Sequence, residues 1–135
     1  MAHSRLRFLT HITRALLRAN PSTLFVFGDN LRRRGLGGQA AQMRGEPNAV
    51  GLPTKRAPTT RPEAYLSDAD LAAIQAAAAA DIDRLRRHLA SGGHVVWPAA
   101  GIGTGRADLP RRAPAIFDWY ASILEELKQI VPPQG

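Results

Sequence analysis

Cysteine is absent from this 135-residue chain. Disulfides and thiolate metal sites are therefore excluded, which suits a reducing cytoplasm. Lysine is nearly absent: sixteen of eighteen basic residues are arginine, leaving Lys55 and Lys128. Aromatic residues make up 6% of the chain. No apolar run approaches a membrane span; Leu71 to Ala80, mostly alanine, is too short. The start, "MAHSRLRFLTH", shows neither a long apolar core nor a small-residue cleavage site, so no signal peptide is expected. Serines are sparse near the candidate loops, and the nearest, Ser22, precedes a strand, which leaves a covalent serine triad without support. The four histidines (3, 11, 88 and 94) lack metal-ligand spacing.

What remains is basic and of ordinary hydrophobicity. Net charge is +7, and 44% of residues are hydrophobic. The length fits one domain, 1–135, large enough for a core without staples. The positive charge favours polyanionic partners such as nucleotides or nucleic acid. The tightest basic cluster is Arg32–Arg34; the plainer alternative is a solubilising surface.

Strand and helix patterns alternate. "ITRALLRA" (12–19) predicts a short helix that stops before Pro21. "TLFVFG" (23–28), "NAVGLPT" (48–54) and "HVVWPA" (94–99) read as strands. "QAAQMR" (39–44) is a short helical piece, and "LRFLTH" (6–11) fits edge strand or helix. Ser67, with Asp70 three residues on, predicts a helix start. Leu71, Ile74, Ala78, Ile82, Leu85 and Leu89 would form its apolar face, and Gly92–Gly93 its stop. Pro114 opens a final helix with core positions Ile116, Tyr120, Ile123, Leu127 and Ile130. The alternation predicts an α/β layered domain.

Twice a strand runs into a glycine-rich loop and on toward a helix: "FVFGDNLRRRGLGGQA" and "VVWPAAGIGTGRADLP". Glycine lets a ligand approach the backbone, and consecutive N–H groups form anion nests, helped by a helix N-terminus. One such loop alone is most often a tight turn. Two at the carboxyl edge of one sheet, in a basic protein, point to a diphosphate gripped from both sides. Neither loop is a P-loop, and "GIGTGR" has arginine where a dinucleotide fingerprint needs its third glycine.

Several polar residues flank the loops. Asp29 and Asn30 could contact a base or ribose, or simply cap a turn. Gln39 and Arg44 follow the first loop, and Arg44 could meet phosphate or stand in solvent. Asn48 opens a strand and could bind ligand or shape a turn. Lys55 could serve as nucleophile or electrostatic catalyst if burial or nearby cations depress its pKa. Asp108, three residues past the second loop, could move a proton or cap the last helix. From chemistry alone the plainer role is the commoner one for each.

The ordered set "GLGGQAA", "LPTKRAP", a long helix, "VVWPAAGIGTGRADL" and a closing helix resembles the macrodomain superfamily of ADP-ribose-binding modules. It is most similar to the lysine-dependent branch, which contains terminal ADP-ribose glycohydrolases and antitoxins that remove ADP-ribose from DNA. It also resembles a group of short bacterial and phage proteins of the same pattern. The likeness covers roughly residues 23–118. It implies a compact three-layer fold with a central mixed sheet flanked by helices. It implies Gly35, Gly37 and Gly38 as one phosphate loop and Gly101, Ile102, Gly103, Thr104 and Gly105 as the other, with Thr54 beside the lysine. Lys55 would act at the anomeric carbon of the distal ribose and Asp108 as acid or base. Asn30 would contact the distal ribose and Asp29 the adenine. The chain departs from the family in two places: two residues separate Gly105 from Asp108, one more than the family pattern, and the front is short, so that "GDN" stands where an earlier strand usually bears the adenine-contacting aspartate. The implied activity is hydrolysis of ADP-ribose from a protein carboxylate or nucleobase by a monomer, without cofactor or metal. The open alternatives are a nucleotide-binding module without chemistry and a basic nucleic-acid-binding protein.

Overall fold

A computed structural model describes residues 4–133. His3 lies outside the described residues. In chain order the elements are β1 (Leu6–Leu9), α1 (Arg14–Ala19), β2 (Thr23–Asn30), α2 (Ala40–Met43), β3 (Ala49–Lys55), α3 (Leu71–Ala90), β4 (His94–Pro98), α4 (Leu109–Arg112) and α5 (Pro114–Gln129). The strands form one sheet in the order β1-β4-β2-β3. Every pairing in it is parallel, so the mixed sheet expected from sequence is corrected to a parallel one. Parallel neighbours require crossover connections, and these place helices on the sheet's faces.

Alternation along β2 builds the layers. Leu24 and Val26 join Val50, Leu52, Val95 and Trp97 on one face, under the apolar sides of α3 and α5. Phe25, Phe27 and Val96 point the other way, onto Leu17 of α1 and Ala40 and Met43 of α2. The molecule is thus a three-layer α/β fold with its sheet buried on both sides. This is why β2 reads as an unbroken apolar run rather than an alternating one.

Local side chains and glycines set the helix ends, some of them shifted from the expected positions. Thr13 caps α1 by accepting the Leu16 N–H (3.2 Å). Ser67 and Asp70 form a reciprocal capping box, but the first turn it opens is a 3-10 turn, Asp68–Asp70, that leads into α3. Gly92, with φ 93°, closes α3. "LRFLTH" resolves into edge strand β1. Ile130 falls just beyond α5, half-buried against the core. Among the described residues, no helix is long and apolar enough to cross a membrane.

Candidate functional site

β2 and β4 are the two central strands, and each is followed by one of the glycine-rich loops. Both loops therefore leave the same edge of the sheet side by side. Between them lies a cavity of about 540 Å³, lined by Gly35–Gly38, by Gly101–Gly105 and by Lys55 from the end of β3. That volume is within the usual range for a small-molecule site.

The glycines divide by physical cause. Gly103 has φ 73°, and a Cβ there would collide with the Leu109 side chain, so the fold itself requires glycine. Gly37 and Gly105 are different. Neither has a left-handed backbone, and a Cβ at either position would meet nothing within 4 Å. Among the described glycines, only these two combine open space with an ordinary φ. One sits in each loop, and both line the cavity. The helices that follow are single turns, α2 and α4. Loop backbone, not a helix dipole, is what this edge offers an anion.

The first loop is fastened from below. Arg44 grips the buried Asp29 carboxylate through both terminal nitrogens (2.5 and 3.3 Å). Its Nε donates to the Gly35 carbonyl (2.7 Å). Both residues line the cavity, but their charged atoms are engaged with each other. Asn30 also lines it; its amide oxygen accepts the Arg32 N–H (3.0 Å) and its NH2 donates to the Arg34 carbonyl (2.8 Å), closing the turn. Thr54 Oγ1 donates to the Asp29 carbonyl across the β2–β3 pair (3.2 Å). Gln39 faces the cavity with a buried Oε1 that has no hydrogen-bond partner.

Residues 7–123 match the model of a family described as a family of unknown function, DUF7831. The chain belongs to the DUF7831 family. No curated protein and no solved structure matches it. The matched span contains both glycine-rich loops and Lys55, so the cavity lies wholly within the DUF7831 region.

In this DUF7831 protein the Lys55 ammonium donates to the Thr59 carbonyl and lies 4.8 Å from the Tyr65 ring centroid. Burial, then the charges of Arg106 and Arg112, hold its pKa below the ordinary lysine value. Two expected site residues are elsewhere. Asn48 is buried beneath the opposite end of the sheet, where its NH2 reaches the carbonyls of Leu17, Asn20 and Thr23 (3.0–3.1 Å). It ties α1 to β2 and is absent from the cavity wall. Asp108 is also absent from it. Its backbone turns left-handed (φ 54°), which sends the carboxylate back onto Arg111 (2.6 Å) and Arg112 (3.6 Å). Ala107, one residue earlier, is the one that faces the cavity.

Two charged residues of the cavity wall, beside several neutral ones such as Thr10 and Ala107, lie outside the expected binding set. Arg34 and Arg106 are exposed and line the cavity mouth. The available signal is adjacency: Arg34 precedes the first glycine and Arg106 follows the last. The Arg32–Arg34 cluster is not one surface. Arg33 folds inward to the carbonyls of Gly51 and Ala77 and to Asp81 (2.9 Å), latching β3 to α3. Arg32 remains in solvent.

Proposed function

We propose that this protein binds ADP-ribose, free or attached to a macromolecule, and that Lys55 cleaves the attachment. The observation that carries the binding half is the pair Gly37 and Gly105. No backbone strain and no packing contact explains glycine at either place. Close approach of a ligand to the loop backbone does. A diphosphate lying between the loops would take N–H groups from both sides, with Arg34 and Arg106 at the mouth supplying charge. The resemblance to lysine-dependent macrodomains, carried by "GLGGQAA", "LPTKRAP" and "GIGTGRADL", selects ADP-ribose among diphosphates.

The chemistry follows from the amine. A lysine held partly out of water beside fixed cations spends more time neutral than a free one. The neutral nitrogen bonds to the anomeric carbon of the distal ribose as the bond to the carboxylate oxygen or base nitrogen breaks. The leaving group takes the electron pair, and the nitrogen sheds a proton. Water then displaces the lysine, leaving free ADP-ribose and restoring the amine. Asp108 has no part in this sequence, because its carboxylate is turned onto Arg111.

That outward aspartate favours a second reading, in which the same cavity recognises ADP-ribose without cleaving it. One experiment separates the two. Titration calorimetry with ADP-ribose is paired with release assays on ADP-ribosylated protein and DNA, using the native chain and Lys55→Ala. Binding by both chains, with release by the native one only, supports the enzyme. Binding without release by either leaves the binding module. Absence of binding overturns both.

A further inference from the structure

The surroundings of Lys55 hold a feature that the cleavage reading does not use. The Tyr65 ring carries two cations: the Lys55 ammonium at 4.8 Å from its centroid and the Arg112 guanidinium at 3.8 Å. An aromatic face attracts a cation, while two cations drawn to one ring repel each other. The backbone that carries the ring is anchored. Arg56, next to Lys55 in sequence, reaches back to the Tyr65 carbonyl (3.0 Å) and pairs with Asp70 (2.5 Å). The Tyr65 N–H donates to the Pro62 carbonyl (3.2 Å). Arg112 is steadied from behind by Asp108, whose left-handed backbone aims the carboxylate at α4 rather than at the cavity. A non-glycine residue held at positive φ stores strain that the surroundings must support.

We propose that Tyr65 and Arg112 are a positioning pair for Lys55, in which the ring seats both cations and Arg112 crowds the amine with like charge so that it reacts as a nucleophile. The other groups that face the amine come from each neighbouring segment. The 56–61 loop presents the Thr59 carbonyl and the segment after β4 presents Arg106, while Arg34 of the first glycine-rich loop lines the same cavity. The nearby carboxylates are committed: Asp29 to Arg44, Asp70 to Arg56, Asp108 to Arg111 and Arg112. Arginine stays protonated through the whole working range, so the crowding persists wherever the fold does. Asp108 thereby gains an indirect role at a residue where direct catalysis is excluded by placement.

The inference rests on Lys55 being the reacting amine, yet its test needs no ADP-ribose. The chain has two lysines, so Lys128, at the far end of α5, is an internal reference. The full-length protein is acylated with acetic anhydride across a pH series, and the two lysine peptides are read by mass spectrometry. Native Lys55 is expected to label with a midpoint below that of Lys128. Arg112→Gln should move the Lys55 midpoint upward and Arg112→Glu further, while Arg112→Lys and Tyr65→Phe stay near native. Half a pH unit is about a threefold change in labelling at fixed pH. Arg112 is exposed, and an unchanged Lys128 profile with native circular dichroism certifies the fold of each variant. A Lys55 profile that is flat across the Arg112 series overturns the proposal. If the series is graded but no ADP-ribose is released, the cleavage reading fails and the positioning pair stands.

Discussion

Gly103 and Gly105 sit two residues apart in one loop, yet alanine should affect them in opposite ways. At Gly103 the new Cβ must clash with Leu109 at a positive φ, so Gly103→Ala should lower unfolding free energy by about 1–3 kcal/mol. At Gly105, and at Gly37, the Cβ enters open space. Gly105→Ala and Gly37→Ala should stay within about 0.5 kcal/mol of native in urea unfolding. If a ligand occupies that space, both should weaken ADP-ribose binding tenfold or more by calorimetry. Unchanged affinity in both would remove the argument for backbone approach. The sequence marks all these glycines alike. Which of them the fold needs, and which it does not, depends on where Leu109 comes back in space. Arg33 and Arg34 teach the same lesson: neighbours in one run, the first latches α3 and the second lines the cavity.

At the scale of elements, α5 does more than cover the sheet. The buried Tyr120 hydroxyl donates to the Pro53 carbonyl (2.6 Å), two residues before Lys55. Burial pushes its phenol pKa well up, so the donor keeps its proton at all working pH values. Tyr120→Phe leaves that carbonyl unpartnered and should cost about 1–2 kcal/mol in denaturant unfolding. If Lys55 cleaves ADP-ribose as proposed, the change should also lower release more than ADP-ribose affinity, because it loosens the end of β3 and not the glycine loops. Equal losses in the two would show that β3 is not specially dependent on this bond. Tyr120 was readable as a core residue from its helical spacing, but its hydroxyl's partner was not. The element ends behaved similarly. Caps at Thr13 and Ser67 act through contacts three residues away, so local chemistry placed them. Asn48 acts through carbonyls 25 to 31 residues away, and nothing beside it in the chain announces that.

For the whole molecule, acid stability follows from its paired carboxylates. Glu46 joins α1 to the segment between α2 and β3 through Arg18 and Arg14, Asp70 anchors the Tyr65 loop through Arg56, and Glu126 ties α5 to α3 through Arg86. The arginine hydrogen bonds hold all three pKa values below their ordinary values of 4.5, 3.8 and 4.5. A carboxyl with a lowered folded pKa contributes fully above its unfolded value and loses that contribution as pH falls through the folded one. The denaturation midpoint should therefore decline most steeply below about pH 4, after a shallower loss from about pH 7 that comes from His94, whose folded pKa burial holds below its ordinary value. Added salt should shrink the decline, since the pairs are near the surface. A midpoint independent of pH down to 3 would show that these pairs contribute nothing.

Composition and periodicity alone determined the type of every main element except β1 and α4, and the glycine-rich loop that follows each central strand. These properties depend on contacts within a few residues or on average polarity, which a linear chain carries. Tertiary structure decided the all-parallel sheet, the strand order that sets the two loops side by side, and the side-chain directions at the site. Strand direction depends on crossovers that close only in three dimensions. The fate of Asp108 turned on a single backbone angle, φ 54°, held by contacts to Gly105 and Arg111. That angle put Ala107 against the cavity and left Lys55 with cations, not a carboxylate, for company.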